Sequence, residues 1–105
     1  MIACTLEKAG YKTGLYSSPH ILNFNERIGT ASEPFEEEIY EKSVRELIET
    51  IKSIKIVDLP AQRPITWFEL VTILGMLCFK NAGCDFAVYE VGLGGRLDAT
   101  NVIKP

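Results

Sequence analysis

Ser17-Ser18-Pro19-His20 follows directly on an apolar stretch, and Asn23, Asn25, Glu26 and Arg27 fall within the next seven residues. A second polar cluster, GLGGRLDATN from Gly92 to Asn101, comes just after Glu90, the one carboxylate in the apolar run Phe86 to Val91. An ionisable carboxylate at the carboxyl end of a buried strand must be paired, protonated or bound to a cation. In an open parallel sheet that edge is also where ligands bind. Arg96 or Arg27 could pair with Glu90, and a cation is the other candidate. Gly92, Gly94 and Gly95 let backbone N–H groups approach a ligand closely, while Arg96, Asp98, Thr100 and Asn101 supply polar groups. The same residues also suit a glycine-rich turn between two elements. The spacing is not G-x-x-x-x-G-K-[ST], and Leu97 stands where a dinucleotide fingerprint needs its third glycine.

Ser18 ends one predicted strand as Glu90 ends another, so in a parallel sheet both could face one crevice. Two hard oxygen ligands, with waters and a substrate phosphate in the remaining positions, describe Mg²⁺ and not a soft metal. Plain turn chemistry also accounts for Ser17 and Ser18. His20 is the only histidine, so a zinc site has no case. It reads as a hydrogen-bonded structural residue or, beside a phosphate, as a donor. Arg27 is a solvated loop charge or, beside such a crevice, a planar clamp for carboxylate or phosphate.

The hydrophobic period predicts the elements that position these groups. Ile2, Leu6 and Ala9 share a helical face and Gly10 sits at a C-cap, so Met1 to Ala9 is a short helix that looks like one missing its beginning. Thr13 to Tyr16 is a strand ended by Ser17-Ser18-Pro19. Pro34 suits the first position of a helix, with Glu36, Glu37 and Glu38 at the positive end of its dipole. Val44, Leu47, Ile48 and Ile51 form that helix's apolar stripe, and it runs to about Lys52. Ile54 to Val57 is a short strand or a frayed helix end, and Pro60 to Pro64 is a linker. Thr66 with Glu69 forms a capping box opening a helix through Ala82, stopped by Gly83 and apolar round most of its circumference, hence buried. Phe86 to Val91 is a strand covered on both faces. This order predicts an α/β fold with a parallel sheet, and two convincing strands are too few for a free-standing one, which suggests a piece of a larger domain.

Composition narrows the function classes. The 105 residues, 47% hydrophobic and 24% charged, are those of one globular domain. A net charge of −3, without a Lys/Arg cluster, gives no field for a phosphate backbone, which argues against nucleic acid as a partner. No apolar run reaches the ~20 residues of a membrane span. The chain opens without a charged n-region or cleavage site. Cys4, Cys78 and Cys84 form no C-x-x-C pair and read as reduced thiols of a cytoplasmic protein.

Three segments together, GLYSSPHILNFNERI (Gly14 to Ile28), ITWFELVTILGMLCF (Ile65 to Phe79) and DFAVYEVGLGGRLDATNVI (Asp85 to Ile103), resemble the folylpolyglutamate synthase/dihydrofolate synthase family. The segment Thr30 to Arg63 carries little of the likeness. The resemblance implies a Mur-ligase-like ATP-dependent amide ligase with a P-loop-type, mostly parallel three-layer sheet domain. It implies ATP and Mg²⁺, with Ser18 and Glu90 as metal ligands. His20 and Arg27 would line the substrate side, and Asp98 and Asn101 would shape the loop Gly92, Gly94 and Gly95 and contact substrate. No residue is singled out as the catalytic one. The substrates implied are folate or dihydropteroate, L-glutamate and ATP. The family's G-T-N-G-K-G-[ST] phosphate loop is absent, as are its later histidine and modified-lysine segments and its glutamate-binding C-terminal domain. Residues 1–105 are therefore expected to be part of the N-terminal ATPase domain, inactive alone. A non-catalytic ligand-binding module and a sibling peptidoglycan-precursor ligase are the alternatives, the latter disfavoured by the S-P-H and N-E-R-I segments.

Overall fold

The computed structural model describes residues Met1–Pro105. A three-stranded sheet of order β2-β1-β3 is built from β1 (Thr13–Tyr16), β2 (Ile28–Gly29) and β3 (Phe86–Tyr89). The pairing of β1 with β3 is parallel, with Leu15 opposite Val88 and Tyr16 opposite Tyr89, as the strand-helix-strand order predicts. The short β2 pairs antiparallel with β1, so the sheet is mixed where a mostly parallel one was expected. Two residues are too few to leave a periodic signal. What makes β2 a strand is its partner, together with the Tyr40 hydroxyl that donates to the Ile28 carbonyl.

Alternation along β1 sorts the helices. Gly14 and Tyr16 face α3 (Trp67–Ala82), whose Phe79 ring lies against Gly14 and whose Thr72 hydroxyl is 3.0 Å from the Tyr16 hydroxyl. Thr13 and Leu15 face the opposite side, where α1 (Ile2–Lys8) packs. The long helix α2 (Glu37–Ser53) lies against α3. Tyr16, Ile28, Val71, Cys78 and Phe79 form the buried core. Phe79 stacks edge-on with Phe35 and Tyr89 at centroid distances of 6.0 and 5.5 Å. A β-carbon at Gly14 would stand 2.4 Å from that ring, so only glycine lets α3 come this close to the sheet.

Local signals are realised closely at α3. The Thr66 hydroxyl accepts the Glu69 N–H at 3.2 Å, the Glu69 carboxylate takes the Thr66 N–H at 2.7 Å, and Gly83 closes the helix in the left-handed region. Other expectations need correction. α3 is only partly buried: Trp67 and Ile73 are exposed, and Leu70, Leu74 and Leu77 are half-buried. β3 is not covered on both faces, because it forms the sheet edge and leaves Phe86 and Ala87 exposed. α2 begins at Glu37, and Pro34 instead bridges to Gly29 in extended backbone. Along α2, Leu47 is buried beside Ser43 while Val44 and Ile48 are exposed, so its inward face is rotated from the predicted stripe. On α1 the inward residues are Ala3 and Leu6, with Ile2 exposed. The ambiguous stretch after α2 is neither strand nor frayed helix but two 3₁₀ turns, Ile56–Asp58 and Pro60–Gln62.

Candidate functional site

The carboxyl ends of β1 and β3 deliver Ser18 and Glu90 to neighbouring positions. Because these strands are parallel and adjacent, the Glu90 N–H extends the ladder to the Tyr16 carbonyl at 2.8 Å, and the Ser18 N–H donates to Glu90 Oε2 at 3.3 Å. Glu90 is exposed rather than buried. It belongs to none of the three ion pairs, so the pairing with Arg96 or Arg27 does not form. One long hydrogen bond is its whole set of side-chain partners, and the Ser18 hydroxyl donates to nothing within the chain. No group of three His, Cys, Asp or Glu side chains converges anywhere. The donor set available to a cation is therefore the Glu90 carboxylate and the hydroxyl of the residue that hydrogen-bonds it, both hard oxygens, which fits a divalent ion of the magnesium type that keeps waters and phosphate oxygens.

Beside this pair lies a groove of about 940 Å³, walled by Ser18, Pro19 and Arg27 on one side, the first turns of α3 on another, and Gly92, Leu93, Leu97 and Asp98 on a third. The α3 wall is fixed by an ion pair, Arg63 to Glu69 at 2.6 Å. That guanidinium, with the Thr66 N–H and hydroxyl, holds the Glu69 carboxyl down at about 2. In the core behind the sheet end, the aromatic hydroxyls of Tyr16 and Tyr89 are pushed up by burial, Tyr89 to about 12, so neither serves as a base near neutral pH.

Arg27 is not a solvated charge. Only 8% exposed, it donates from Nε to His20 Nδ1 at 2.7 Å and lays its guanidinium over the Trp67 ring at 5.3 Å. The acceptor role at Nδ1 places the ring proton of neutral His20 on Nε2. His20 itself is exposed and stacks edge-on with Phe24 at 6.2 Å. Arg27 thus aims the histidine and packs under the groove.

Between His20 and Arg27 the organising residue is Glu26, which the sequence reading noted only as one polar group among several. Its Oε1 accepts the N–H groups of Leu22 and Asn23 at 2.9 and 2.8 Å, and Oε2 accepts that of Ile21 at 2.8 Å. Those backbone donors, Ile21 first, hold its carboxyl below the ordinary range. A Glu three residues after an Asn is the signal that could have found it, since Phe24–Arg27 is a 3₁₀ turn capped at Asn23.

Asp98 plays the same part in the glycine loop. Oδ2 accepts from Gly92 and Leu93 N–H at 3.1 and 3.0 Å, and Oδ1 from the Thr100 N–H at 3.0 Å and hydroxyl at 2.6 Å. Burial alone would raise its carboxyl, but the Thr100 hydroxyl and the three backbone donors outweigh that and lower it. Asn101, though exposed, donates to the Arg96 carbonyl at 2.9 Å, so both residues bond back to their own loop and shape it. The Gly92 and Leu93 N–H groups are thereby spoken for, which removes them from the expected ligand cradle. Gly94 and Gly95 turn the chain at φ of +69° and +98°, where an L side chain would be strained.

No family model matches the chain. Folylpolyglutamate synthase of Lacticaseibacillus casei is 39% identical over 104 residues, which is 99% of this chain and 24% of that protein. Dihydrofolate synthase/folylpolyglutamate synthase of Escherichia coli (strain K12) is 38% identical over 98 residues, 93% of this chain and 21% of that protein. The chain thus spans less than a quarter of the length of these curated relatives. In three dimensions, the apo form of L. casei FPGS superposes with a TM-score of 0.85 at 39% identity, over 99% of this chain and 25% of that one. The Yersinia pestis bifunctional enzyme, solved with AMPPNP and Mn ion, gives 0.74 at 38% identity over 93% of this chain and 22% of that one. Agreement of sequence and fold along nearly its whole length places the chain in the folylpolyglutamate synthase/dihydrofolate synthase family.

Proposed function

We propose that the chain is part of the N-terminal, P-loop-type Mur-ligase-like ATPase domain of a cytoplasmic ligase. The enzyme joins L-glutamate to folate or dihydropteroate at the expense of ATP. The observation that carries this reading is the placement of Ser18 beside Glu90 at the ends of two parallel strands, on the lip of the groove. The Y. pestis relative, solved with AMPPNP and Mn ion, supports ATP with a divalent metal, and we assign Mg²⁺.

In this reading a carboxylate of the pterin substrate takes the γ-phosphoryl group of ATP, and the amine of glutamate displaces phosphate from the resulting acyl phosphate to leave an amide. The magnesium ion supplies charge neutralisation for the transferring phosphoryl group. Ser18 and Glu90 hold it, through the hydroxyl oxygen and a carboxylate oxygen. His20 and Arg27 line the substrate side, His20 donating from Nε2 and Arg27 fixing its orientation. Asp98 and Asn101 hold the glycine loop closed as the opposite wall. Within these 105 residues no G-K-[ST] cradle exists to grip the phosphates, so the chain alone is inactive, because phosphoryl transfer depends on positioning.

The test is ATP-dependent incorporation of labelled glutamate into dihydropteroate and folate by the full-length protein, wild type against Glu90→Gln, across Mg²⁺ concentrations. The variant keeps shape and one ligating oxygen but loses the charge. Activity falls at least about tenfold and is partly restored by excess Mg²⁺. Because Glu90 is exposed and unpaired, its thermal midpoint stays near that of wild type. Wild-type activity of Glu90→Gln at every Mg²⁺ level would remove the metal assignment, and no glutamate incorporation by the wild type would remove the ligase reading.

A further inference from the structure

We propose that Glu26 is a positioning residue for the metal site, holding the loop after β1 so that Ser18 is presented to the cation; this rests on the ligand assignment above. The loop from Ser17 to Arg27 leaves β1 and returns into β2, and its two ends are tied together. The Ser17 N–H donates to the Arg27 carbonyl at 2.9 Å and the Ser17 hydroxyl to the Glu26 carbonyl at 3.1 Å. In its far half the one backbone bond outside the 3₁₀ turn's own is that of the Glu26 N–H to the Asn23 carbonyl at 3.0 Å. Ile21, Leu22 and Asn23 are exposed, and their N–H groups converge on the Glu26 carboxylate alone.

Three donors on two oxygens fix the loop against rotation as well as displacement, which no single hydrogen bond does. The residues so held, Ile21 to Asn23, follow directly on Ser18-Pro19-His20, and His20 has its own anchor in Arg27, the next residue after Glu26. Glu26 therefore acts on the site through backbone and touches no reacting group. Its carboxylate lies outside the buried core of Tyr16, Ile28, Val71, Cys78 and Phe79.

The experiment uses the full-length protein with ADP bound and Mn²⁺ as the probe. It reads Mn²⁺ affinity by electron paramagnetic resonance, alongside thermal midpoint and the Mg²⁺ dependence of glutamate incorporation. In Glu26→Ala, Mn²⁺ affinity drops by about tenfold, as for loss of a group that orients a metal ligand. The half-saturating Mg²⁺ concentration rises in step, kcat at saturating Mg²⁺ changes little, and the thermal midpoint stays near wild type. Glu26→Gln, which keeps one acceptor oxygen, recovers part of the affinity. Wild-type Mn²⁺ affinity in Glu26→Ala overturns the proposal, as does a lowered thermal midpoint with metal binding intact in the folded fraction. Ser18→Ala and Glu90→Gln separate the two levels. If both weaken Mn²⁺ binding and Glu26→Ala does not, the positioning role alone is wrong. If neither weakens it, the ligand assignment fails and takes the proposal with it.

Discussion

Gly14 is where the sheet and α3 come closest, and replacing it with alanine tests the packing that carries the groove. The added methyl would sit 2.4, 2.6 and 2.7 Å from three atoms of the Phe79 ring, about 1 Å inside ordinary contact. The ring is 4% exposed and is flanked by Phe35 and Tyr89, so it has no free direction in which to retreat. Overpacking a dense core costs about 1–3 kcal/mol, and this overlap belongs at the upper end. Alanine returns up to about 1 kcal/mol by restricting the unfolded chain. The clash wins, and Gly14→Ala is destabilised by about 2 kcal/mol. Equilibrium urea denaturation followed by circular dichroism measures this, with an unchanged m-value showing that the same surface unfolds. Phe79→Leu in the Gly14→Ala background relieves the overlap, so the double variant is less destabilised than the two singles added, by about 1 kcal/mol. A Gly14→Ala loss below about 0.5 kcal/mol, or strict additivity in the cycle, would refute the close-approach argument.

Arg27→Lys keeps the charge but loses the planar fork, and so both the His20 hydrogen bond and the stacking on Trp67. The cost is about 1–2 kcal/mol, and the emission of Trp67, the sole tryptophan, shifts; an unchanged spectrum would contradict the stacked arrangement. Asp98→Ala frees the glycine loop, and trypsin cuts after Arg96 at least about fivefold faster, the equivalent of roughly 1 kcal/mol of lost hydrogen bonding. Equal cutting rates in the variant and the wild type would show that Asp98 does not hold the loop.

Where a feature is specified by residues a few positions apart, the sequence displays it. The Thr66–Glu69 box and the Gly83 cap of α3 are of this kind, and so is β1, ended by Ser17-Ser18-Pro19. The meeting of Ser18 and Glu90 needed one further premise, that the two strands are parallel neighbours, and β1 and β3 satisfy it. Features set by distant partners were not legible. Arg27 is buried because Trp67, far along the chain at the start of α3, covers its guanidinium. The β3 run is apolar enough for an interior strand, yet its exposure depends on what lies beyond the sheet edge, which periodicity does not encode. In α2 the apolar period was visible, but which arc of it turned inward was decided by α3, where Asn81 donates to the Ser43 hydroxyl at 3.0 Å.

Three carboxylates stand at this edge of the sheet, and their hydrogen bonds assign them different work. Asp98 accepts four hydrogen bonds and Glu26 three, all from groups of their own loops, so a cation at either would have to compete with donors already in place. Both carboxyls are held below the ordinary range by those donors, which makes them permanent anions near neutral pH whose charge is spent locally. Glu90 accepts one, at 3.3 Å, from the backbone of the very residue whose hydroxyl stands beside it. A metal ion arriving at the groove finds in Glu90 the carboxylate with the most acceptor capacity still open, and in Ser18 the hydroxyl of the residue whose backbone bonds it. The two stitched loops each carry one wall of the groove beside that pair.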